Sequence, residues 1–238
     1  MRLRKPAVLI TGGARRLGLA LTQEALALGL DVVAHYRTSA APLKRWLSRR
    51  PGLSRRVQFL QADLHPDTAR TVIAAAQRLA PRLCGLVNNA AVFTPGGPRD
   101  RAHLRAMLQA NAVTPYALGA AFHRAVGAGW IVHITDARAA APNRTYRNYR
   151  LSKLLLEQLT GQQALRYAPS VRVNAIAPGA VLRAAGTGPA AFRALLRRMP
   201  LGNGGTVGDI RRAFAYLYRA RSVTGQVLYV DGGWHVAP

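Results

Sequence analysis

Three residues in the middle of the chain have types and spacing suited to proton transfer: Asp136, Tyr149 and Lys153. On a helix, side chains four positions apart project from the same face, so the Lys153 ammonium group can favour the ionised form of the Tyr149 phenol. Free tyrosine and lysine have pKa values near ~10 and ~10.4, so each depends on its surroundings to act at neutral pH. The spacing is also common on solvated helix surfaces, and it predicts a proton donor only with support from other motifs.

A glycine-rich turn near the start of the chain provides that support. An apolar run over residues 6–10 leads into Thr11, Gly12 and Gly18, and the residues that follow have the apolar spacing of a helix. This order predicts a strand, a turn and a helix. Because glycines let the backbone approach a ligand closely and the first N–H groups of a helix bind anions, we expect a pyrophosphate at this turn.

Strand-like apolar runs recur along the chain, with helical patterns between nearly all of them. The alternation predicts an α/β fold with a Rossmann-type, doubly wound parallel sheet of about seven strands and helices on both faces. Half of the residues are apolar and we find no linker or internal repeat, so we expect a single domain over residues 1–238. After the first strand, the expected strands cover residues 31–36, 57–61, 85–88, 130–135, 171–176 and 226–230.

The residues of chemical interest lie where these strands end. Asn88 ends one strand, Asp136 follows another, Gly179 follows a third, and Tyr149 begins the helix after the Asp136 strand. Ligands of open parallel sheets bind beyond the carboxyl ends of the strands. One crevice is therefore expected to collect all of these residues.

The composition limits the classes of partner. Thirty-four Lys and Arg residues against nine Asp and Glu give a formal net charge of +25, but the arginines are scattered and form no nucleic-acid-binding motif. We expect no specific nucleic-acid partner, only incidental binding at low salt. The chain has one cysteine, six histidines without metal-ligand spacing, no apolar stretch near the ~20 residues that span a bilayer, and an N-terminal apolar run too short for a signal peptide. We expect a cytoplasmic protein with no metal, disulfide or membrane segment.

Several short motifs occur in a fixed order: Thr11-Gly12-x5-Gly18, Asp63 after a strand, Asn88-Asn89-Ala90, Asn111 within a helix, Tyr149-x3-Lys153, Pro178-Gly179, and Val-Thr-Gly-Gln-Val-Leu-Tyr-Val-Asp-Gly-Gly at 223–233. With this combination the chain resembles the short-chain dehydrogenase/reductase family over essentially its whole length. The resemblance implies that Tyr149 donates a proton to the group being reduced, while hydride comes from a nicotinamide. It implies further that Lys153 holds the nicotinamide ribose and lowers the pKa of the phenol, and that Asn111 anchors a water for proton relay.

Two departures from the commonest family pattern are informative. Arg16 replaces the middle glycine of the turn, and Asp136 replaces a hydroxyl residue upstream of the tyrosine. Both changes resemble the pteridine reductase and dihydromonapterin reductase branch, and Phe93 stands where that branch places an aromatic ring over the pterin. The resemblance implies a substrate site made of Arg16, Phe93, Asp136 and Tyr149. Ala91 differs, because the best-known pteridine reductases carry a serine there, and this leaves the particular pterin open.

The cofactor implied by the same resemblance is NADPH. No acidic residue follows the second strand to bind a ribose 2′-hydroxyl, whereas Arg37 and Ser39 suit a 2′-phosphate. His35 is either part of this loop or a packed strand residue. The expected cofactor-binding residues are Thr11, Gly12, Arg15, Arg16, Leu17, Gly18, His35, Tyr36, Arg37, Thr38, Ser39, Asp63, Leu64, Asn89, Ala90, Ala91, Tyr149, Lys153, Pro178 and Gly179.

These features predict NADPH-dependent reduction of a dihydropterin to its tetrahydro form, with substrates such as dihydrobiopterin, dihydromonapterin or dihydrofolate. The alternatives are a reductase of another carbonyl or imine, and a non-catalytic NADPH-binding regulator. The glycine-rich stretch 182–208 is expected to form a mobile substrate lid. Family members usually form tetramers through helices that correspond to residues 100–125 and 149–168, so we expect a homotetramer.

Overall fold

The computed structural model describes residues 3–97, 99–141, 144–183 and 186–237. Seven strands form one sheet in the order β3-β2-β1-β4-β5-β6-β7, and every neighbouring pair is parallel. This confirms the predicted fold class, and the strands deviate from their expected bounds by no more than two residues. They are β1 Ala7–Ile10, β2 Asp31–Tyr36, β3 Val57–Gln61, β4 Leu83–Asn88, β5 Gly129–Ile134, β6 Val171–Pro178 and β7 Val227–Val230.

Helices connect the strands and cover both faces of the sheet. Within the described ranges, α5, a π-helix over Gln109–Val113 and α6 follow one another without a break. No helix of the described chain is long and apolar enough to cross a membrane. The helices are α1 Arg16–Ala27, α2 Ala41–Ser48, α3 Pro51–Ser54, α4 Ala69–Leu79, α5 Arg101–Leu108, α6 Thr114–Val126, α7 Arg147–Tyr167, α8 Pro189–Leu196 and α9 Val207–Arg219.

Two apolar cores lie on opposite faces of the sheet. Side chains of a strand alternate between its faces, so Val8 packs into one core and Leu9 into the other. The first core contains residues of α1, α2 and α9, such as Phe214, and the second contains residues of α4, α6 and α7, such as Phe122. Both faces of β1 are thereby buried, which explains its uninterrupted apolar sequence.

The order of the strands fixes where a ligand can bind. From β1 the chain builds outward through β2 and β3 on one side, and through β4 to β7 on the other. The connections therefore diverge beyond the carboxyl ends of β1 and β4 and leave a crevice there.

The predicted lid at 182–208 contains a helix of its own. Helix α8 occupies the middle of this stretch, and the last two residues of the stretch belong to α9. Reciprocal hydrogen bonds between Thr206 and Asp209 fix the start of α9. The predicted stretch therefore reaches two residues into α9, and its role as a lid stays a prediction. Ala184 and Ala185, which also fall in the predicted range, lie outside the described residues.

Candidate active site

A cleft of about 760 Å³ lies at the carboxyl ends of the strands. Every residue that the sequence predicts to bind cofactor or substrate lines this cleft, with the exception of Lys153. Lys153 and Asn111 are instead buried in its wall, with 3% and 0% of their surface exposed. The predicted residues that line the cleft are Thr11, Gly12, Arg15, Arg16, Leu17, Gly18, His35, Tyr36, Arg37, Thr38, Ser39, Asp63, Leu64, Asn89, Ala90, Ala91, Phe93, Asp136, Tyr149, Pro178 and Gly179.

The glycine turn forms a backbone cradle at the start of α1. Gly12 has φ of +62°, and a Cβ atom on Gly18 would lie 2.0 Å from the Gly12 carbonyl oxygen. The Asn89 side-chain amide donates to the Thr11 carbonyl at 2.8 Å, and the Thr11 hydroxyl accepts from the Asn89 and Ala90 backbone N–H groups at 2.9 and 3.0 Å. The side chain of the N-cap residue Arg15 makes no hydrogen bond to the start of α1, so the first N–H groups of the helix are available to an anion such as a pyrophosphate.

Arg16 adopts a left-handed backbone conformation, with φ of +50°, and is the one non-glycine residue with positive φ among the described residues. A side chain at this position is strained, which explains why glycine is the more usual residue there. The Arg16 guanidinium Nη2 donates to the Arg183 carbonyl oxygen at 3.0 Å. Arg16 therefore joins the glycine turn to the loop before α8.

His35 supports the glycine turn from behind. It is 2% exposed, its Nδ1 accepts from the Gly12 backbone N–H at 3.1 Å, and its Nε2 lies 3.0 Å from the Ala62 carbonyl oxygen. The tautomer that satisfies both contacts carries its proton on Nε2. Burial lowers the pKa of His35 and keeps it neutral. Of the two readings of His35, the structure supports a packed strand residue that shapes the cleft.

The loop after β2 is exposed and basic. Arg37, Thr38 and Ser39 lie at the surface of the cleft, and the Ser39 hydroxyl oxygen accepts from the Ala41 backbone N–H at 3.2 Å. The Ser39 hydroxyl proton therefore remains available to an acceptor. A guanidinium group and hydroxyl groups without a nearby carboxylate on this loop suit a phosphate.

Asp136 joins the end of β5 to the start of α7. Its Oδ1 accepts from the Arg138 backbone N–H at 2.8 Å, and its Oδ2 accepts from the Tyr149 hydroxyl at 3.2 Å. Lys153 Nζ lies 5.9 Å from the centroid of the Tyr149 ring and donates to the Ile134 carbonyl at 2.7 Å. The three residues that opened the sequence analysis thus meet at one point of the cleft wall.

Burial dominates the protonation of this cluster. Burial raises the pKa of Asp136, although the hydrogen bond from the Arg138 backbone N–H and the Lys153 cation both act to lower that pKa. Burial also lowers the pKa of Lys153 to about 8. Burial, followed by the neighbouring Asp136, raises the pKa of Tyr149 well above its ordinary value. The net shift of the Tyr149 pKa in this structure is upward, and the expectation that Lys153 lowers that pKa stays a prediction. Tyr149 is therefore a neutral phenol, able to donate a proton.

The Asn111 side chain is occupied by protein partners. Its Oδ1 accepts from the Val92 backbone N–H at 2.8 Å, and its Nδ2 donates to the Val92 carbonyl at 2.9 Å and to the Ser152 hydroxyl at 3.0 Å. Ser152 in turn donates to the Tyr149 carbonyl at 2.6 Å. These contacts tie the π-helix to the first turns of α7, and the water-anchoring role of Asn111 stays a prediction.

A group of aromatic side chains forms part of the cleft wall. The Phe93 ring stacks on Tyr146, with centroids 4.4 Å apart and planes at 8°, and meets Tyr149 edge-on at 4.6 Å. Phe93 nevertheless stays 48% exposed, so a flat ring can still contact it. Tyr146 both packs on Phe93 and lines the cleft.

Sequence reasoning missed several residues of the cleft. Arg138 Nη1 donates to the Trp234 and Ala237 carbonyl oxygens at 3.0 Å each, and its guanidinium group lies over the Trp234 ring. This contact spans 96 residues, and the sequence contains no local signal for it. Arg150, in contrast, lies within the predicted Tyr149-x3-Lys153 motif and could have been identified there. Thr114 also lines the cleft without having been predicted, whereas Leu182, Thr187, Phe192 and Leu195 line it as part of the predicted lid stretch.

Comparisons with known proteins agree with this geometry. The model of a family described as enoyl-(acyl carrier protein) reductase matches residues 12–235. The chain is 30% identical to the dihydromonapterin reductase of Citrobacter koseri and 31% identical to that of Klebsiella pneumoniae, over 96% and 95% of each chain. The crystal structure of FolM alternative dihydrofolate reductase 1 from Brucella suis, in complex with NADP, superposes with a TM-score of 0.89 at 32% identity, over 98% of this chain and 96% of that one.

The fold, the glycine cradle and the Asp136–Tyr149–Lys153 cluster are those of a nucleotide-dependent oxidoreductase. The chain belongs to the short-chain dehydrogenase/reductase family. Within that family, its similarity is to the dihydromonapterin reductase and pteridine reductase branch.

Proposed function

We propose that the protein is an NADPH-dependent pteridine reductase that converts a dihydropterin to its tetrahydro form. The observation that carries the proposal is the hydrogen bond from the neutral Tyr149 phenol to the buried Asp136 carboxyl, beside the half-exposed ring of Phe93. Reduction of a carbon–nitrogen double bond requires a proton at nitrogen as well as a hydride at carbon. Dihydromonapterin, dihydrobiopterin and dihydrofolate are the candidate substrates, as the names of the relatives suggest.

The residues of the cleft fit NADPH. The glycine cradle suits the pyrophosphate, the Arg37–Ser39 loop suits the 2′-phosphate, and Asp63 and Leu64 line the end that suits the adenine. Two buried polar atoms of residues that line the cleft, Asn88 Oδ1 and Thr114 Oγ1, have no hydrogen-bond partner among the described residues. A polar ligand or a water would satisfy them.

When bound, NADPH supplies the hydride to a ring carbon of the pterin. Tyr149 donates the proton for the adjacent nitrogen, and Asp136, whose pKa is raised by burial, orients the phenol and returns a proton to it. Lys153 holds a positive charge near Asp136 and favours the ionised state of that carboxyl after transfer. Arg16, fixed between the glycine turn and the Arg183 carbonyl, provides a cation at the cofactor side of the pterin.

We further expect a cytoplasmic homotetramer, as the sequence predicts. Large apolar side chains are exposed on the helices that the family uses for assembly: Val113 is 41% exposed, Leu151 42% and Leu165 81%. Exposed apolar groups of this kind favour burial against another subunit. Light scattering coupled to gel filtration tests the assembly, and a mass near 26 kDa, that of one chain, would reject it.

The function is tested by NADPH oxidation with dihydrobiopterin, dihydromonapterin, dihydrofolate, simple ketones and imines. We expect turnover with at least one pterin, and loss of that turnover in Asp136→Ser with gain on ketones, because a serine hydroxyl polarises a ketone oxygen but cannot cycle a proton as a carboxyl does. Asp100→Ser, at an exposed helix N-cap outside the cleft, is the matched control and should retain the pterin activity. Absence of NADPH oxidation with every pterin refutes the proposal.

A further inference from the structure

A second buried carboxyl lies one helical turn beyond Lys153. Glu157 is 9% exposed, and with Tyr149 and Lys153 it forms an i, i+4, i+8 series on one face of α7. Its Oε2 accepts from the Tyr229 hydroxyl of β7 at 3.3 Å, whereas its Oε1 is buried without a hydrogen-bond partner among the described residues. A buried carboxyl with an unsatisfied oxygen is costly, and the proposed reaction makes no direct use of it.

The electrostatic surroundings of Lys153 suggest a role for this carboxyl. Lys153 Nζ is bonded to a neutral carbonyl, that of Ile134, so its charge must be balanced through space. Burial lowers the pKa of Lys153, and two carboxyl groups, first Asp136 and then Glu157, raise it. Of the other titratable groups nearby, His133 of β5 is neutral, because burial lowers its pKa to about 4, and the Tyr149 and Tyr229 phenols are also neutral, with raised pKa values.

The two carboxyl groups differ in one respect that matters for catalysis. Asp136 contacts the Tyr149 hydroxyl and changes its charge when it takes part in proton transfer. Glu157 does not line the cleft, and its polar contact in the described structure is to Tyr229. Burial raises the pKa of Glu157, but the hydrogen bond from the Tyr229 hydroxyl and the nearby Lys153 cation counteract that effect and favour the carboxylate. Glu157 can therefore hold a constant negative charge while the charge of Asp136 changes.

We propose that Glu157 is a positioning residue, whose carboxylate, held by the Tyr229 hydroxyl, keeps the buried Lys153 ammonium group charged throughout turnover. The inference rests on the proposed function for its catalytic consequence, but the protonation of Lys153 can be measured without any turnover. Removal of the negative charge at Glu157 should make Lys153 lose its proton at a lower pH, because an uncompensated buried ammonium group is disfavoured.

Lysine NMR tests this directly, because the chain has three lysines and the other two, Lys5 and Lys44, are exposed. With lysine labelled by ¹³C at Cε, signals are assigned with Lys5→Arg and Lys44→Arg, and Lys153 should titrate near pH 8. In Glu157→Gln we expect its pKa to fall by about one unit, the effect of one unit charge at i,i+4 distance in a protein interior. Glu24→Gln, at the other glutamate of the chain, is the matched control and should leave the Lys153 signal unchanged.

The pH profile of kcat provides the second readout. The basic limb of the profile should move to lower pH in Glu157→Gln by the same amount. In Tyr229→Phe it should move by less, because that substitution removes a hydrogen bond that favours the Glu157 carboxylate but keeps the carboxyl itself. A folded Glu157→Gln protein whose Lys153 titrates as in the wild type overturns the proposal. If Glu157→Gln fails to fold, an unmoved Lys153 titration in Tyr229→Phe overturns it. Failure of every pterin assay refutes the proposed function alone, since the titration still decides the role of Glu157.

Discussion

The left-handed backbone of Arg16 predicts different effects for two substitutions that remove the same side chain. Arg16→Ala and Arg16→Gly both lose the guanidinium group and its exposed bond to the Arg183 carbonyl. Only glycine relieves the strain of φ +50°, which costs about 1 to 2 kcal/mol for a residue with a Cβ. The greater freedom of glycine in the unfolded chain offsets roughly 0.5 to 1 kcal/mol of that gain. We therefore expect Arg16→Gly to be more stable than Arg16→Ala by about 1 kcal/mol.

Thermal and urea unfolding measure this difference, which corresponds to a Tm higher by roughly 2 to 4 °C for a chain of this size. The kinetic effects of the two variants should instead agree. Loss of one exposed cation near the phosphates should raise the KM for NADPH about tenfold in both, the equivalent of ~1.4 kcal/mol. Equal stability of the two variants would refute the strain argument, and a large difference between their KM values would refute the role given to the guanidinium group.

Three further predictions test the cleft and its supports. Tyr149→Phe should lower kcat by roughly 10²- to 10⁴-fold, the usual contribution of a proton donor, while NADPH affinity measured by fluorescence titration stays near the wild-type value. Arg37→Ala should raise the KM for NADPH but not for NADH, and equal changes for both cofactors would place the 2′-phosphate elsewhere. Burial lowers the pKa of His133 to about 4 in the folded protein, from 6.5 in the unfolded chain. The free energy of unfolding should therefore be highest above pH 6.5 and should fall as the pH falls, by roughly 3 kcal/mol near pH 4. Urea midpoints measured from pH 7 to 4.5 should decline accordingly, and the decline should be smaller in His133→Gln.

Local patterns were sufficient to predict the fold and most of the cleft. Parallel strands buried on both faces are read from apolar runs, and the glycine turn is read from its own residues, since Gly12 and Gly18 meet each other. Because parallel strands end at the same edge of the sheet, residues that follow them in sequence converge in space. Because of this convergence, Asn88, Asp136 and Gly179 all line one cleft, as their positions in the sequence predict.

Properties that depend on burial and on distant segments were not predictable in the same way. The sequence shows that Lys153 is near Tyr149, but not that burial and Asp136 dominate the pKa of the phenol. The bond between Tyr229 and Glu157 joins residues 72 positions apart, and neither belongs to a motif that the sequence analysis assigned to the active site. The left-handed conformation of Arg16 is likewise visible only in the folded backbone.

The contact between Arg138 and the C-terminal segment couples two parts of the chain that are 96 positions apart. Arg138 is two residues after Asp136, and it holds the carbonyl oxygens of Trp234 and Ala237. The proton-handling acid and one wall of the cleft are therefore held by the same residue, the acid through the Arg138 backbone N–H and the wall through the Arg138 side chain. Changes in the last turn of the described chain can therefore narrow or widen the cleft while the contacts among Asp136, Tyr149 and Lys153 stay as they are.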